Sequence, residues 1–482
     1  MSASLPSYDE AAALIAACAA QIRPPANIES VTLSAAAGRV LAEPLAADRD
    51  QPPFARSTRD GYACRAAEAS AHLRLRVAGM TRAGEPPAGP LAPGAAWEIM
   101  TGAPVPAGAD AVMMLEHVES GEGHVRLLPP RTVAAGENIV ARGAQARAGQ
   151  ELLAAGTLIG FAQIALAASC GAASLAVYAR PRVAILATGD EIVPVEAEPA
   201  PGQIRNSNAP MLAALVSAHG GEPWVLPTAA DTPEALDAAL AAILDSGLDS
   251  GLDTGLDSTL GLAAQADLLL ITGGVSAGKF DLVEPALLDR GARFHFTGVR
   301  IQPGKPVVFG EIPRPGAGTG AIKSFVSGHD FSRAGQVRER GRALAPEGRL
   351  ARSEDIDEVA SDLIQNQNGA KCLGLPGNPV SSAVTFLLFA APLLAALAGR
   401  ADRGPRFALA RLKETVKSKS GLTRFLPALC TFGAGKELPE VARVEWQGSG
   451  DLAALARSNC FLVAPEDSDH LDAGALVRIL LT

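Results

Sequence analysis

Residues able to do chemistry stand repeatedly at the ends of apolar runs in this chain. The stretch "DLLLITGGVSAGKFD", residues 267 to 281, sets the uncharged run 268–271 directly before Gly273, Gly274, Ser276, Gly278 and Asp281. A short apolar run bounded by turn signals fits a buried strand of a parallel sheet. The glycines remove side chains that would keep a ligand away from main-chain N–H groups, and such loops suit phosphate. A tight turn without a ligand accounts for the same glycines equally well, and neither the G-x-G-x-x-G nor the Walker lysine spacing is present. The same layout recurs in "TRDGYA" with Asp60, "IMTGAPVPAGAD" with Thr101, "ATGDE" with Thr188, Gly189, Asp190 and Glu191, and "TAAD" with Asp231. It recurs again in "PGKP" with Lys305 and in "LPGNPVSS" with Pro376, Gly377, Asn378, Pro379 and Ser381. Gly, Pro, Asn and Asp favour turns for backbone reasons, so each cluster taken alone reads as a turn.

Those turns need a scaffold, and the composition supplies one. A chain of 482 residues, 48% hydrophobic, has material for about three domains. The net charge of -9 disfavours a general nucleic-acid binder. Cys18, Cys64, Cys170, Cys372, Cys430 and Cys460 form no C-x-x-C pair, and the seven histidines show no metal-ligand spacing, so a reduced cytoplasm and no structural zinc are expected. The opening "MSASLPSYDEAAALIAACAAQ" carries Asp9 and Glu10 where a signal peptide would be positive, and reads as an amphipathic helix. Residues 380–399, "VSSAVTFLLFAAPLLAALAG", are almost long enough to cross a bilayer, but Pro392 and the serine-rich start after "PGNP" favour a buried helix, and no membrane is expected.

Short alternating segments between turn signals make the first part of the chain β-rich to about residue 140. From "PRVAILATGDEIV" onward strands and helices alternate, which argues a mostly parallel sheet with helices on both faces. "TPEALDAALAAILD" is the clearest helix, with Thr232 as N-cap and Pro233 at the first position. Short strands return after "AGRADRGPRF". Two segments fit no compact element: the four-residue repeat "GLDSGLDTGLDS", residues 247–258, reads as a loop expansion, and residues 313–369 read as a flexible insertion.

Taken in order, the clusters resemble one family, the molybdopterin molybdenumtransferases, which include the bacterial MoeA proteins and the E domain of gephyrin. The resemblance runs from "RSTRDGYA" through "IMTGAPVP", "GENIVARG", "ILATGDEIV", "GQIRNSN", "TGGVSAGKFD", "PGKPVVFG" and "LPGNPVSSAVTF" to "QGSGDLAALARSNCFLV". It implies an α/β and β multi-domain fold. A discontinuous N-terminal helical and linker domain (1–45 and 146–180) would carry a β-rich domain (46–145). A central, mostly parallel α/β molybdopterin-binding domain (181–400) would hold loop expansions at 246–262 and 313–369, and a small β domain (405–482) would close the chain. The resemblance implies insertion of molybdenum from molybdate into adenylylated molybdopterin, with Mg²⁺-dependent release of AMP. Glu191, Asp231 and Asp281 would hold the metal, a role that suits carboxylates beside a pyrophosphate. Asp60 and Thr101 would join them as catalytic residues, reaching the cleft from the partner subunit of a homodimer. Thr188, Gly189, Asp190, Gly273, Gly274, Ser276, Gly278, Lys305, Pro376, Gly377, Asn378, Pro379, Ser381 and Ser449 would bind substrate. A molybdopterin adenylyltransferase and molybdoenzyme maturation proteins would be partners.

The chain also departs from the family's pattern, chiefly at anion-binding positions. Ala144 and Gln145 replace an acidic pair, Gln302 stands where a basic residue is common, and Arg59 stands where Met is common. Leu422 and Pro427 occupy positions that commonly hold arginine, and Arg300, Arg424 or Lys279 could compensate. A non-catalytic molybdopterin carrier would permit these losses, yet it has no need for three carboxylates beside a phosphate. The molybdopterin adenylyltransferase, a third reading, would not need the flanking β domains.

Overall fold

The computed structural model describes residues 5–86, 89–244, 266–274, 282–313, 369–433, 435 and 438–482. The chain forms two compact units, Ser30–Val177 on the one hand and Met1–Glu29 with Tyr178–Thr482 on the other. The repeat at 247–258, Ser276, Gly278, Lys279 and Asp281, and all but the ends of the 313–369 insertion lie outside the described residues.

In the first unit a six-stranded sheet is built from β1 (Gly61–Cys64), β2 (Leu75–Thr81), β3 (Ala95–Ile99), β4 (Ala111–Met114), β5 (Val118–Gly121) and β6 (His124–Leu127), in the order β4-β1-β3-β2-β6-β5. All pairings are antiparallel except β2 with β3. The turns before β1 and after β3 carry Asp60 and Thr101, so the antiparallel β1–β3 pair brings them to one end of the sheet.

The second unit holds a mixed sheet of β7 (Arg182–Ala187), β8 (Glu222–Val225), β9 (Leu268–Thr272), β10 (Arg293–Phe296), β11 (Val308–Ile312) and β12 (Ala370–Leu375), in the order β8-β7-β9-β12-β11-β10. The first three pairings are parallel and the last two antiparallel. Strand β9 is buried throughout and apolar from Leu268 to Ile271 because both its faces are covered. Leu268 and Leu270 enter a core with α1 (Tyr8–Gln21) and α2 (Asn208–Ala218). Leu269 and Ile271 enter a second core with α3 (Pro233–Leu244) and α4 (Val283–Asp289). Thr232 caps α3, its hydroxyl accepting from the Ala235 amide at 3.2 Å.

The apolar stretch after "PGNP" is α5 (Pro379–Leu397), long and apolar enough to span a membrane by composition, with 89% of its most apolar window buried inside the fold. A π-helical turn at Phe386–Ala390 precedes Pro392. Widening the helix there accommodates a residue that has no N–H to donate. The chain then forms β13 (Phe407–Leu412), β14 (Thr423–Thr431), β15 (Glu440–Arg443), the short helix α6 (Leu452–Arg457), β16 (Cys460–Ala464) and β17 (Leu476–Leu481). The order β14-β15-β13-β17-β16 closes through a β14–β16 pairing, which turns the sheet into a small barrel and pairs its two edges with each other. Tyr8 of α1 meets Phe425 of the barrel edge-on at 5.5 Å, so barrel and α/β layers share one core.

Candidate functional site

Parallel strands β7, β9 and β12 end side by side, and a turn follows each. Ligands in open α/β sheets bind at this carboxyl edge. After β7, the Thr188 amide donates to Thr272 O (3.0 Å) and the Gly189 amide to Ala229 O (3.3 Å). Gly189 has φ +138°, and a Cβ on it would lie 2.7 Å from Glu191 Oε2. Glycine is therefore what lets the Glu191 carboxylate fold back over the turn. Asp190 Oδ1 accepts from the Asp231 amide at 3.1 Å, which joins the turn after β7 to the one carrying Asp231. Burial, followed by the negative charges of Asp190 and Glu191, raises the Asp231 carboxyl above its usual value.

After β9, Gly273 and Gly274 take φ +98° and +60°, and a Cβ on Gly273 would stand 2.5 Å from Thr188 O. The two turns thus touch through backbone alone. Thr188, Ala230, Asp231, Leu236, Gly274, Leu282 and Val283 line a small cleft there. Thr188 Oγ1 is buried and makes no hydrogen bond among the described residues. After β12, Pro376 is buried, Gly377 and Asn378 are more open, and Pro379 begins α5. Gly377 passes close to Gly273, since a Cβ on Gly377 would lie 3.8 Å from Gly273 Cα. Ser381 is buried in the first turn of α5. The barrel reaches this loop as well: the Val380 amide donates to Ser449 O at 3.0 Å.

Lys305 is exposed on a tight loop closed by the Val299 amide on Lys305 O (3.0 Å). Gly304 packs the loop on α5, since a Cβ would meet Thr385 Cγ2 at 2.6 Å. In the same loop, Gln302 lies in register with Arg424 of β14, and its amide oxygen accepts from the Arg424 guanidinium. Arg300 is instead paired with Glu466 at 2.9 Å. Pro427 is buried in β14 opposite Phe461. A guanidinium therefore stands beside the glutamine, on the strand paired with Gln302.

In the other unit, Asp60 Oδ1 accepts from the Thr101 amide (2.6 Å) and the Thr101 hydroxyl (2.8 Å). The Thr101 amide first, then its hydroxyl, hold the Asp60 carboxyl below its usual value. Both residues are exposed.

Three protein-family models tile the chain. One describing the MoeA N-terminal region (domain I and II) matches residues 6–171, one for a probable molybdopterin binding domain matches 184–250 and 252–396, and one for the MoeA C-terminal region (domain IV) matches 409–482. A molybdopterin molybdenumtransferase of Nostoc sp. is 30% identical, with 99% of this chain and 94% of that protein covered. The chain belongs to the molybdopterin molybdenumtransferase family. The Synechococcus elongatus enzyme of that name is 31% identical with 98% of each chain covered. A solved structure, the molybdopterin biosynthesis MoeA protein of Pyrococcus horikoshii, matches with a TM-score of 0.63 at 27% identity and covers 99% of both chains.

Within this molybdenumtransferase fold the structure joins Thr188, Gly189, Asp190, Glu191, Asp231, Gly273 and Gly274 around one edge. It sets Pro376, Gly377, Asn378, Pro379, Ser381 and Ser449 beside them, with the Lys305 loop further along α5. Sequence reading missed Asn208, although "GQIRNSN" contains it. The residue is 9% exposed, and its side chain donates to Thr272 Oγ1 (2.8 Å) and Gly377 O (2.6 Å). The signal available was an asparagine opening a helix, which reads as ordinary capping.

Proposed function

We propose that this chain converts adenylylated molybdopterin and molybdate to molybdenum cofactor and AMP, a late step of molybdenum cofactor biosynthesis. The observation that carries the reading is the crowding of Asp190, Glu191 and Asp231 against glycine turns at the carboxyl ends of β7 and β9. Clustered carboxylates beside glycine turns suit a divalent cation, and hard oxygen donors suit Mg²⁺. Among the described residues no three His, Cys, Asp or Glu side chains form a complete metal site. Mg²⁺ commonly takes one or two carboxylates and fills its remaining positions with phosphate oxygens and water, so Glu191 and Asp231 fit it, with Asp281 as a further ligand by resemblance. When bound, the ion would neutralise the phosphoanhydride and orient its oxygens.

The chain's own residues do the rest. The turns at Gly273 and Gly274 let the nucleotide's phosphates approach the backbone. The loop at Asn378, Ser381 and Ser449 holds the pterin side, and Lys305 offers a positive charge to molybdate. Asp60, kept ionised and oriented by Thr101, offers a fixed negative charge that can orient water. In this reading the enzyme is a homodimer whose Asp60 and Thr101 serve the partner's cleft, a point supported by the family resemblance. Six unpaired, buried cysteines are consistent with a reducing cytoplasm. An adenylyltransferase would supply the nucleotide and molybdoenzyme maturation proteins would take the product.

Asp231→Asn tests the reading. It keeps the shape and removes a charge, so turnover should fall about 100-fold while nucleotide binding persists. Unchanged turnover at limiting Mg²⁺ would remove Asp231 from the machinery.

A further inference from the structure

Two ligand-facing turns that belong to different strands must keep a fixed spacing, and one side chain spans them. Asn208, the first residue of α2, puts its Nδ2 2.8 Å from Thr272 Oγ1 and 2.6 Å from Gly377 O. Gly377 O can only accept, so the atom facing it must be the amide nitrogen, and the orientation of the side chain is fixed by chemistry. Both N–H bonds of that nitrogen are then used. Thr272 Oγ1 passes its own hydrogen to Pro376 O at 3.4 Å, and Ser382 Oγ donates to the same carbonyl. The Gly273 amide donates to Leu375 O at 3.3 Å, which ties the same two strand ends from the backbone side. One amide thus links the start of α2, the glycine turn after β9 and the loop after β12.

The other half of the amide is unused. Asn208 Oδ1 is buried and has no hydrogen-bond partner among the described residues. Leaving a buried acceptor unsatisfied is costly, so the atom is poised for a donor. A phosphate oxygen would be repelled by it, whereas a pterin ring carries N–H groups.

We infer that Asn208 is a positioning and specificity residue: its nitrogen sets the spacing of the two turns, and its oxygen accepts a hydrogen bond from an N–H of the pterin. The second half rests on the proposed function; the first does not. Neither role needs Asn208 to touch the reacting phosphoanhydride.

The test uses full-length protein, Asn208→Leu, which keeps the size and removes both functions, and Thr272→Val, which removes one partner and keeps the strand. Hydrogen exchange at the Gly273 amide, measured without ligand, reads the spacing. Titration with adenylylated molybdopterin reads the specificity. Asn208→Leu is expected to speed Gly273 exchange selectively and to weaken nucleotide binding roughly tenfold or more, with a smaller effect in Thr272→Val. If Asn208→Leu does not fold, Thr272→Val decides the positioning arm, and Asn208→Ala, which removes the oxygen without filling its space, decides the pterin contact. Unchanged Gly273 exchange overturns the positioning role. Faster exchange with unchanged affinity overturns the pterin contact, as does a lower melting temperature with wild-type affinity. A wild-type protein that fails to bind the nucleotide at all sinks the functional reading together with the pterin contact, while the exchange arm still judges the positioning role.

Discussion

Arg424 is the residue whose role the sequence leaves open and the structure narrows. Gln302, Leu422 and Pro427 stand where the family pattern favours cations, and Pro427 is buried opposite Phe461. Cross-strand register puts the Arg424 guanidinium on the Gln302 amide, while Glu466 occupies Arg300. A planar guanidinium suits an oxyanion, and a neutral glutamine holds it without cancelling its charge. Arg424→Gln is therefore expected to raise the molybdate concentration for half-maximal rate by about tenfold, more steeply at low salt, and to leave nucleotide affinity unchanged. A molybdate titration at two salt concentrations checks this; an unchanged midpoint would clear Arg424 of the role. At this scale the individual polar residues were legible as turn residues, but their partners were not. Nothing in the spacing of Gln302 and Arg424, or of Asn208 and Gly377, announces that they touch, because the first contact is made by strand register and the second by how α2 packs beside the strand ends.

Strands β11 and β12 carry an energetic feature of the same kind. Glu311 and Lys371 face each other across the antiparallel pair, buried, with 2.6 Å between Lys371 Nζ and Glu311 Oε1. His295 Nε2 lies 3.7 Å from the same oxygen, and Cys18 Sγ lies 3.5 Å from it. Burial raises the Glu311 carboxyl, but His295 and the Lys371 ammonium outweigh it and hold the group below its ordinary 4.5. A carboxylate with a lowered folded value contributes stability that is complete above about pH 4.5 and is lost as the pH falls through that lower value. Glu311→Gln should thus lower stability at neutral pH by ~3–5 kcal/mol, since Lys371 is left buried and unpaired, and should flatten the acid side of the stability curve. Thermal melts from about pH 3 to 7 read both effects; parallel curves would remove the pH-dependent part, and coincident curves would show that the pair contributes nothing. The elements themselves were readable where a local rule sufficed. The apolar run of β9 and the Thr232 cap of α3 follow from burial and capping chemistry. The antiparallel edge made by β10 and β11 was not, because nothing local distinguishes it from a further parallel strand. The Glu311–Lys371 pair escaped for the reason the Gln302 pair did.

For the whole molecule, the residues proposed for catalysis fall in different compact units: Asp60 and Thr101 in one, and Glu191 and Asp231 in the other. If the active enzyme is a homodimer that shares its sites, Asp60→Ala and Asp231→Asn proteins, each inactive alone, should regain about a quarter of wild-type activity when co-expressed, because mixed dimers rebuild one intact site. No recovery in mixtures that do form mixed dimers would confine each site to a single chain. The order of the motifs along the chain made the architecture legible at this scale, whereas the Asp281 loop lies outside the described residues and its place at the cleft rests on resemblance. The most direct test of the central claim is AMP release from adenylylated molybdopterin by the purified protein, followed with and without molybdate and Mg²⁺. An active transferase releases AMP only when both are present, with molybdenum cofactor formed alongside. Tight nucleotide binding without AMP release under any of these conditions would contradict it and make the protein a carrier.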